Sequence, residues 1–136
     1  MPDAWKQARV LGGLYQKLAA SLAGEAACPR IATFKIAYGW IDTSGDTPVP
    51  QEPPFDAAAL PGSAIYSGAV TASASDTSTL ITAVVPEGAV SAPTAATVVG
   101  LYDQADDLVA AVTFLPEWIT PDKRYEHLIH LTFPTE

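Results

Sequence analysis

Apolar positions near the start of the chain recur at spacings of four and three: Ala4, Ala8, Leu11, Tyr15, Leu18 and Leu22. This heptad-like seam predicts one amphipathic helix over residues 3–24. Asp3 suits its first turn, Gly24 its stop, and Pro29 blocks any continuation. Trp5, Val10 and Leu14 lie off the seam and widen the apolar face. Gly12-Gly13 falls mid-helix in this reading. Each glycine costs about 1 kcal/mol there relative to alanine, and each lets another backbone approach closely. A helix with that defect is marginal alone and needs a partner surface. The partner is either the chain's own sheet or another subunit.

From residue 30 the period changes to two. Residues 30–40 alternate, with Ile31, Thr33 and Lys35 on one face and Ala32, Phe34, Ile36 and Tyr38 on the other. Further strands are expected over 63–74, 77–85, 95–102, 108–115 and 125–133, separated by Gly, Pro, Ser and Asp turns. Strand does not alternate with helix, so a parallel sheet is not expected. The pattern indicates an antiparallel β-sandwich of six or more strands, or a small barrel, and the sandwich is the form expected. The domain reading is an N-terminal anchoring helix over 1–28 and a β-sandwich over 29–136.

Residues 42–61 interrupt the strands with five prolines, Pro48, Pro50, Pro53, Pro54 and Pro61. A long loop of this kind is often functional. Proline density lowers the entropy lost on ordering. The loop is read either as an arm lying on a neighbour or as an ordered surface loop. Candidate interface residues are Leu11, Tyr15, Leu18 and Leu22 on the helix and Pro48, Pro50, Pro53, Pro54 and Phe55 on the loop.

Charge is unevenly placed. Residues 1–35 carry Lys6, Arg9, Lys17, Arg30 and Lys35 against Asp3 and Glu25, whereas residues 36–136 carry only Lys123 and Arg124 against thirteen carboxylates. The acidic body excludes the basic face that nucleic acid demands. A basic arm on an acidic body suits either complementary neighbours or a solvated surface. No run approaches the ~18 apolar residues of a membrane span. Gln16 and Lys17 break the apolar run that a signal peptide requires.

Chemistry-bearing residues are few. Cys28 is the single cysteine, so no internal disulfide and no paired-cysteine metal motif exists. His127 and His130 are three apart, which on a strand places them on opposite faces. Asp103, Asp106 and Asp107 sit between two strands and read as a turn. Residues 42–46 lack the alternating ligands of a calcium loop and read as a glycine turn. No nucleophile elbow, phosphate loop or zinc motif occurs. Trp40, Trp118, Tyr38 and Tyr66 suit a core or subunit interface, or the stacking floor of a sugar site. No enzyme activity and no cofactor are expected.

Five segments carry a family resemblance by their order. They are Ile36 to Gly39, Pro54 to Leu60 leading into Ile65-Tyr66, Val85-Pro86, the hairpin from Val98 to Pro116, and Asp122-Lys123 with the final alternating strand. Together these resemble the N-terminal, particle-proximal domains of phage tail-collar fibre proteins. The chain departs from that pattern at Val98-Val99, where family members commonly carry an acidic residue. Family members also usually continue into a shaft and a receptor-binding tip, and this chain ends at Glu136. The resemblance therefore implies a stand-alone structural subunit of a tail, baseplate or tail-fibre attachment, from a phage or a phage-derived device. It implies a homotrimer or other homo-oligomer, other tail, baseplate or fibre proteins as partners, and a place in the virion after assembly in the host cytoplasm. A carbohydrate- or receptor-binding β module is the alternative.

Overall fold

The computed structural model describes residues 6–75 and 78–132. The elements run β1 (Lys6–Val10), α1 (Gly12–Leu22), β2 (Ile31–Ala37), β3 (Ile41–Asp42), β4 (Val49–Pro50), β5 (Tyr66–Ser75), β6 (Ser78–Val85), β7 (Thr94–Asp103), β8 (Leu108–Ile119) and β9 (Tyr125–Thr132). The fold is mainly β with one N-terminal helix. The six long strands expected from alternation are β2, β5, β6, β7, β8 and β9. The expected contributions of Asp3, Ala4, Trp5, Thr77 and Phe133 lie outside the described residues.

Two expectations are corrected. The sandwich is a closed seven-stranded barrel with the order β1-β8-β7-β2-β5-β6-β9. The helix is shorter, because residues 6–10 form a strand. β1 pairs antiparallel with β8 through Arg9–Ala111 and Val10–Ala110, and parallel with β9 through Lys6–Ile129 to Ala8–Leu131. It thereby bridges two sheet edges whose backbone groups would otherwise lack partners. Ala8 and Val10 are buried, a period of two that the heptad spacing concealed. The boundary expected near residue 28 is thus crossed by strand pairing, and Leu11 and Leu14 join the cores of the barrel.

Gly12-Gly13 begins the helix instead of interrupting it. A Cβ on Gly12 would lie 3.1 Å from the Phe55 ring, and one on Gly13 would lie 3.2 Å from the Leu108 carbonyl oxygen. The close approach expected of these glycines is made to the chain's own loop and to β8. The helix stops where expected. Gly24 adopts φ 79°, its N–H donates to Ser21 O at 3.0 Å, and the N–H of Glu25 donates to Ala20 O at 2.9 Å. That double bond pattern is a Schellman stop.

Two apolar clusters organise the molecule. The larger fills the barrel with residues that include Phe34, Ile36, Ile81, Val85, Val99, Leu101, Ile119 and Ile129. The smaller holds Leu11, Ala37, Val98, Tyr102, Leu108 and Ala111, with Trp40, Ala57 and Leu60 packed on it. It lies on the outer face of β2, β7 and β8. The proline-rich segment is therefore a strap packed over its own barrel through Ala57 and Leu60. β3 and β4 form a two-stranded ribbon within it. The strap passes close over Gly100, where a Cβ would lie 2.6 Å from Leu60 Cδ2.

Candidate interaction surface

The helix and the loop meet at one place. The N–H of Gly12 donates to the Phe55 carbonyl at 2.8 Å. The Phe55 ring lies against Tyr15, with centroids 5.8 Å apart and planes tilted 33°. The Arg9 guanidinium sits 5.6 Å from the centre of the same ring. Arg9 also donates to Pro53 O at 2.7 Å and pairs with Glu52 at 3.3 Å. Backbone, cation and ring contacts together hold Phe55 while leaving it 47% exposed beside the 37% exposed Tyr15.

Of the nine candidate interface residues, this site unites Tyr15, Pro53, Pro54 and Phe55. Pro53 is buried and Pro54 exposed. The other five are elsewhere. Leu11 is fully buried in the outer-face cluster, and Leu18 packs against the barrel core. Leu11 is thus occupied by its own chain, whereas Leu18 keeps part of its surface on the groove beside α1. Leu22 is 90% exposed and stands apart at the helix C-terminus. Pro48 and Pro50 are half-buried in the β3–β4 ribbon, where Pro50 pairs with Ile41.

The basic arm finds acidic partners within the same molecule. Lys17 Nζ bridges Asp103 Oδ2 at 2.5 Å and Asp107 Oδ2 at 2.6 Å. Lys35 Nζ lies 4.0 Å from Asp106 and 4.5 Å above the centre of the Tyr102 ring. Tyr102 titrates higher than a free tyrosine because it is buried, and the charge of Asp106 adds to the effect.

The acidic hairpin tip is a turn. Asp103 Oδ1 accepts the N–H groups of Ala105 at 3.0 Å and Asp107 at 3.1 Å, and Asp106 takes φ 66°. The residues 42–46 are also a turn, with Ser44 N–H and Oγ both donating to Asp42 Oδ1. His127 is buried facing the barrel interior, 3.7 Å from Glu117 and with its ring centre 5.7 Å from that of Phe114. His130 points to the opposite face of β9. Among the described residues no group of three or more His, Cys, Asp or Glu side chains is placed to hold a metal ion. Cys28 is exposed. A groove of about 350 Å³ beside α1 is lined mostly by small and apolar side chains, among them Leu14, Leu18, Ile31 and Leu131.

A second exposed apolar region includes Trp118, an interface or stacking candidate from the sequence, together with Leu115, which the pattern does not single out. Leu115 is 58% exposed and Trp118 is 61% exposed. Leu115 lies within, and Trp118 just beyond, a bulge in β8, where residues 114–116 oppose the single residue Thr97 between the pairs Val98–Thr113 and Ala96–Glu117. Pro116 was the available signal, because proline inside a strand marks an edge or a bulge. Trp40 is half-buried on the outer-face cluster, well engaged by its own chain. No protein-family model, no characterised protein and no solved structure matches this chain.

Proposed function

We propose that this protein is a structural subunit of a phage or phage-derived tail, baseplate or tail-fibre attachment, acting by protein–protein assembly. The observation that carries the reading is the Tyr15–Phe55 ring pair, held on a closed and filled barrel yet exposed. Aromatic side chains fixed in advance lose little entropy on docking and dominate interface energetics. The sequence resemblance to tail-collar fibre domains supports the same reading and supplies its setting: a homotrimer or other homo-oligomer within the virion. A sugar- or receptor-binding module is favoured by the exposure of Trp118 and Tyr38. The other two stacking candidates, Trp40 and Tyr66, pack against their own barrel.

The test is the solution mass of the full chain, alone and with co-expressed tail or baseplate proteins. Association that Tyr15→Ser with Phe55→Ser abolishes, while the far-ultraviolet circular dichroism is kept, supports the proposal. A monomer that joins none of those proteins overturns it.

A further inference from the structure

We propose that the mouth of the barrel beside α1 binds a free medium-chain carboxylate, with its aliphatic chain in the groove and its headgroup on Arg30. This site goes beyond the assembly reading and does not depend on it.

The strand register shows why the groove exists. Pairing between β2 and β5 ends at Thr33–Ala69, whereas β5 runs on along β6 to Ser75–Ser78. The two strands therefore part at this end of the barrel. Residues paired across antiparallel strands share a face, and two inward rows cross the mouth from β5 through β6 to β9. Ala72, Ile81 and Ile129 form the deeper row, and Ala74, Thr79 and Leu131 the outer one. Ile81, Ile129 and Leu131 are buried in the core. Ala72 and Ala74, aligned with them, are exposed. Alanine at both places leaves the space that a larger inward side chain would close. Leu14 and Leu18 of α1 and Ile31 of β2 complete the apolar lining. The resulting groove of about 350 Å³ falls within the size range of small-molecule sites, which favour the mouths of barrels.

Charge selects the occupant. The polar members of the lining are Arg30, Ser73 and Thr79. Arg30 is fixed through its backbone, whose N–H donates to Gln104 Oε1 at 2.7 Å, while Gln104 Nε2 donates to the Cys28 carbonyl at 3.2 Å. Neighbouring cations are committed, Lys17 to Asp103 and Asp107, and Arg9 to Glu52. Among the described residues no carboxylate pairs with the Arg30 guanidinium. A guanidinium left over beside an apolar groove matches one carboxylate, which it can grip through two parallel N–H···O bonds. A net charge of −8 repels an anionic bilayer, so the occupant is a free acid and not a membrane lipid. The size of the groove suits a chain of about eight carbons.

The probe is octanoate, titrated calorimetrically into the full chain. Binding should saturate, and each methylene removed from the ligand should weaken it about fourfold. Octylammonium, with the same chain and the opposite charge, should not saturate. Arg30→Gln should weaken octanoate about tenfold. Ala72→Leu should fill the groove and abolish binding. Both residues are exposed, so the fold should persist, as circular dichroism checks. Amide resonances of Ile31, Ala72 and Ala74 should shift on titration. Absence of saturable binding overturns the proposal, as does equal affinity for octylammonium or unchanged affinity in Arg30→Gln or Ala72→Leu. Binding that appears only once residues 133–136 are removed also overturns it, because the occupant would then be the chain's own C-terminal segment.

Discussion

The ammonium group of Lys17, in the second turn of α1, sits 2.5 Å from Oδ2 of Asp103 at the end of β7. Asp103 is essentially buried, with 1% of its side chain exposed, against 31% for Lys17. Burial alone would push the Asp103 carboxyl up. The Lys17 hydrogen bond and the N–H groups of Asp107 and Ala105 outweigh it and hold the carboxyl below its ordinary range. Lys17 is raised by its bonds to Asp103 and Asp107. A lowered acid stabilises the fold above its unfolded value and loses that contribution as pH falls through its native value. A raised base keeps its contribution below its unfolded value and loses it as pH climbs through its native one. Stability should therefore fall below about pH 4 and again above about pH 10.5. Urea denaturation across pH should show that Asp103→Asn flattens the acid limb. Lys17→Met should lower stability at neutral pH by about 1–3 kcal/mol, by leaving a buried carboxylate with fewer partners.

Thr97 supports the opposite end of the barrel. Its hydroxyl accepts the Gly39 N–H at 2.8 Å and donates to the Gly39 carbonyl at 2.7 Å. Thr97 is fully buried, and Gly39 takes φ 154° at the corner leading into Trp40. Thr97→Val keeps the shape and removes both bonds. It should destabilise the protein by about 1–3 kcal/mol. Thr97→Ser, which retains the hydroxyl, should recover much of that loss in the same chemical denaturation measurement.

Strand alternation was legible wherever one face is buried. Phe34 and Ile36, and His127, Ile129 and Leu131, fall on inward faces as their period of two required. The stop at Gly24 and the Asp103–Asp107 turn were legible because local chemistry decides them. β1 was not legible. Ala8 and Leu11 satisfy a heptad, and the pairing that makes residues 6–10 a strand comes from β8 and β9, about a hundred residues away. Closure into a barrel hung on that same strand. The candidate surface was legible in part for a related reason. Apolar spacing singled out Tyr15, and the proline-rich loop Phe55, but only tertiary packing decides that Leu11 is buried while Leu22 stays in solvent.

Gly100 and Leu60 should behave as a coupled pair. A Cβ on residue 100 would lie 2.6 Å from Leu60 Cδ2 and 2.9 Å from Leu108 Cδ1. Gly100→Ala should thus push the strap off β7 and destabilise by about 1–3 kcal/mol. Leu60→Ala alone loses packing on the outer-face cluster. Combined with Gly100→Ala it removes the closer of the two clashing side chains, so the double variant should be more stable than the sum of the singles implies. Thermal unfolding of all four proteins gives the coupling energy, and strict additivity would place the strap elsewhere.

Leu11 and Leu22 belong to the same apolar seam of the sequence and should respond very differently to truncation. Leu11 is fully buried among Ala37, Val98, Tyr102, Leu108 and Ala111, and its N–H donates to Val109 O at 3.0 Å. Leu11→Ala deletes buried methyl groups beneath the strap and should cost about 2–5 kcal/mol. Leu22 is 90% exposed, so Leu22→Ala should stay within about 0.5 kcal/mol of wild type. Removing residues 1–24 takes away β1 as well as α1 and reopens the barrel between β8 and β9. The truncated chain should therefore lose cooperative unfolding, read by near-ultraviolet circular dichroism and urea titration. A truncated chain that melts like the whole protein would show that the barrel closes without β1.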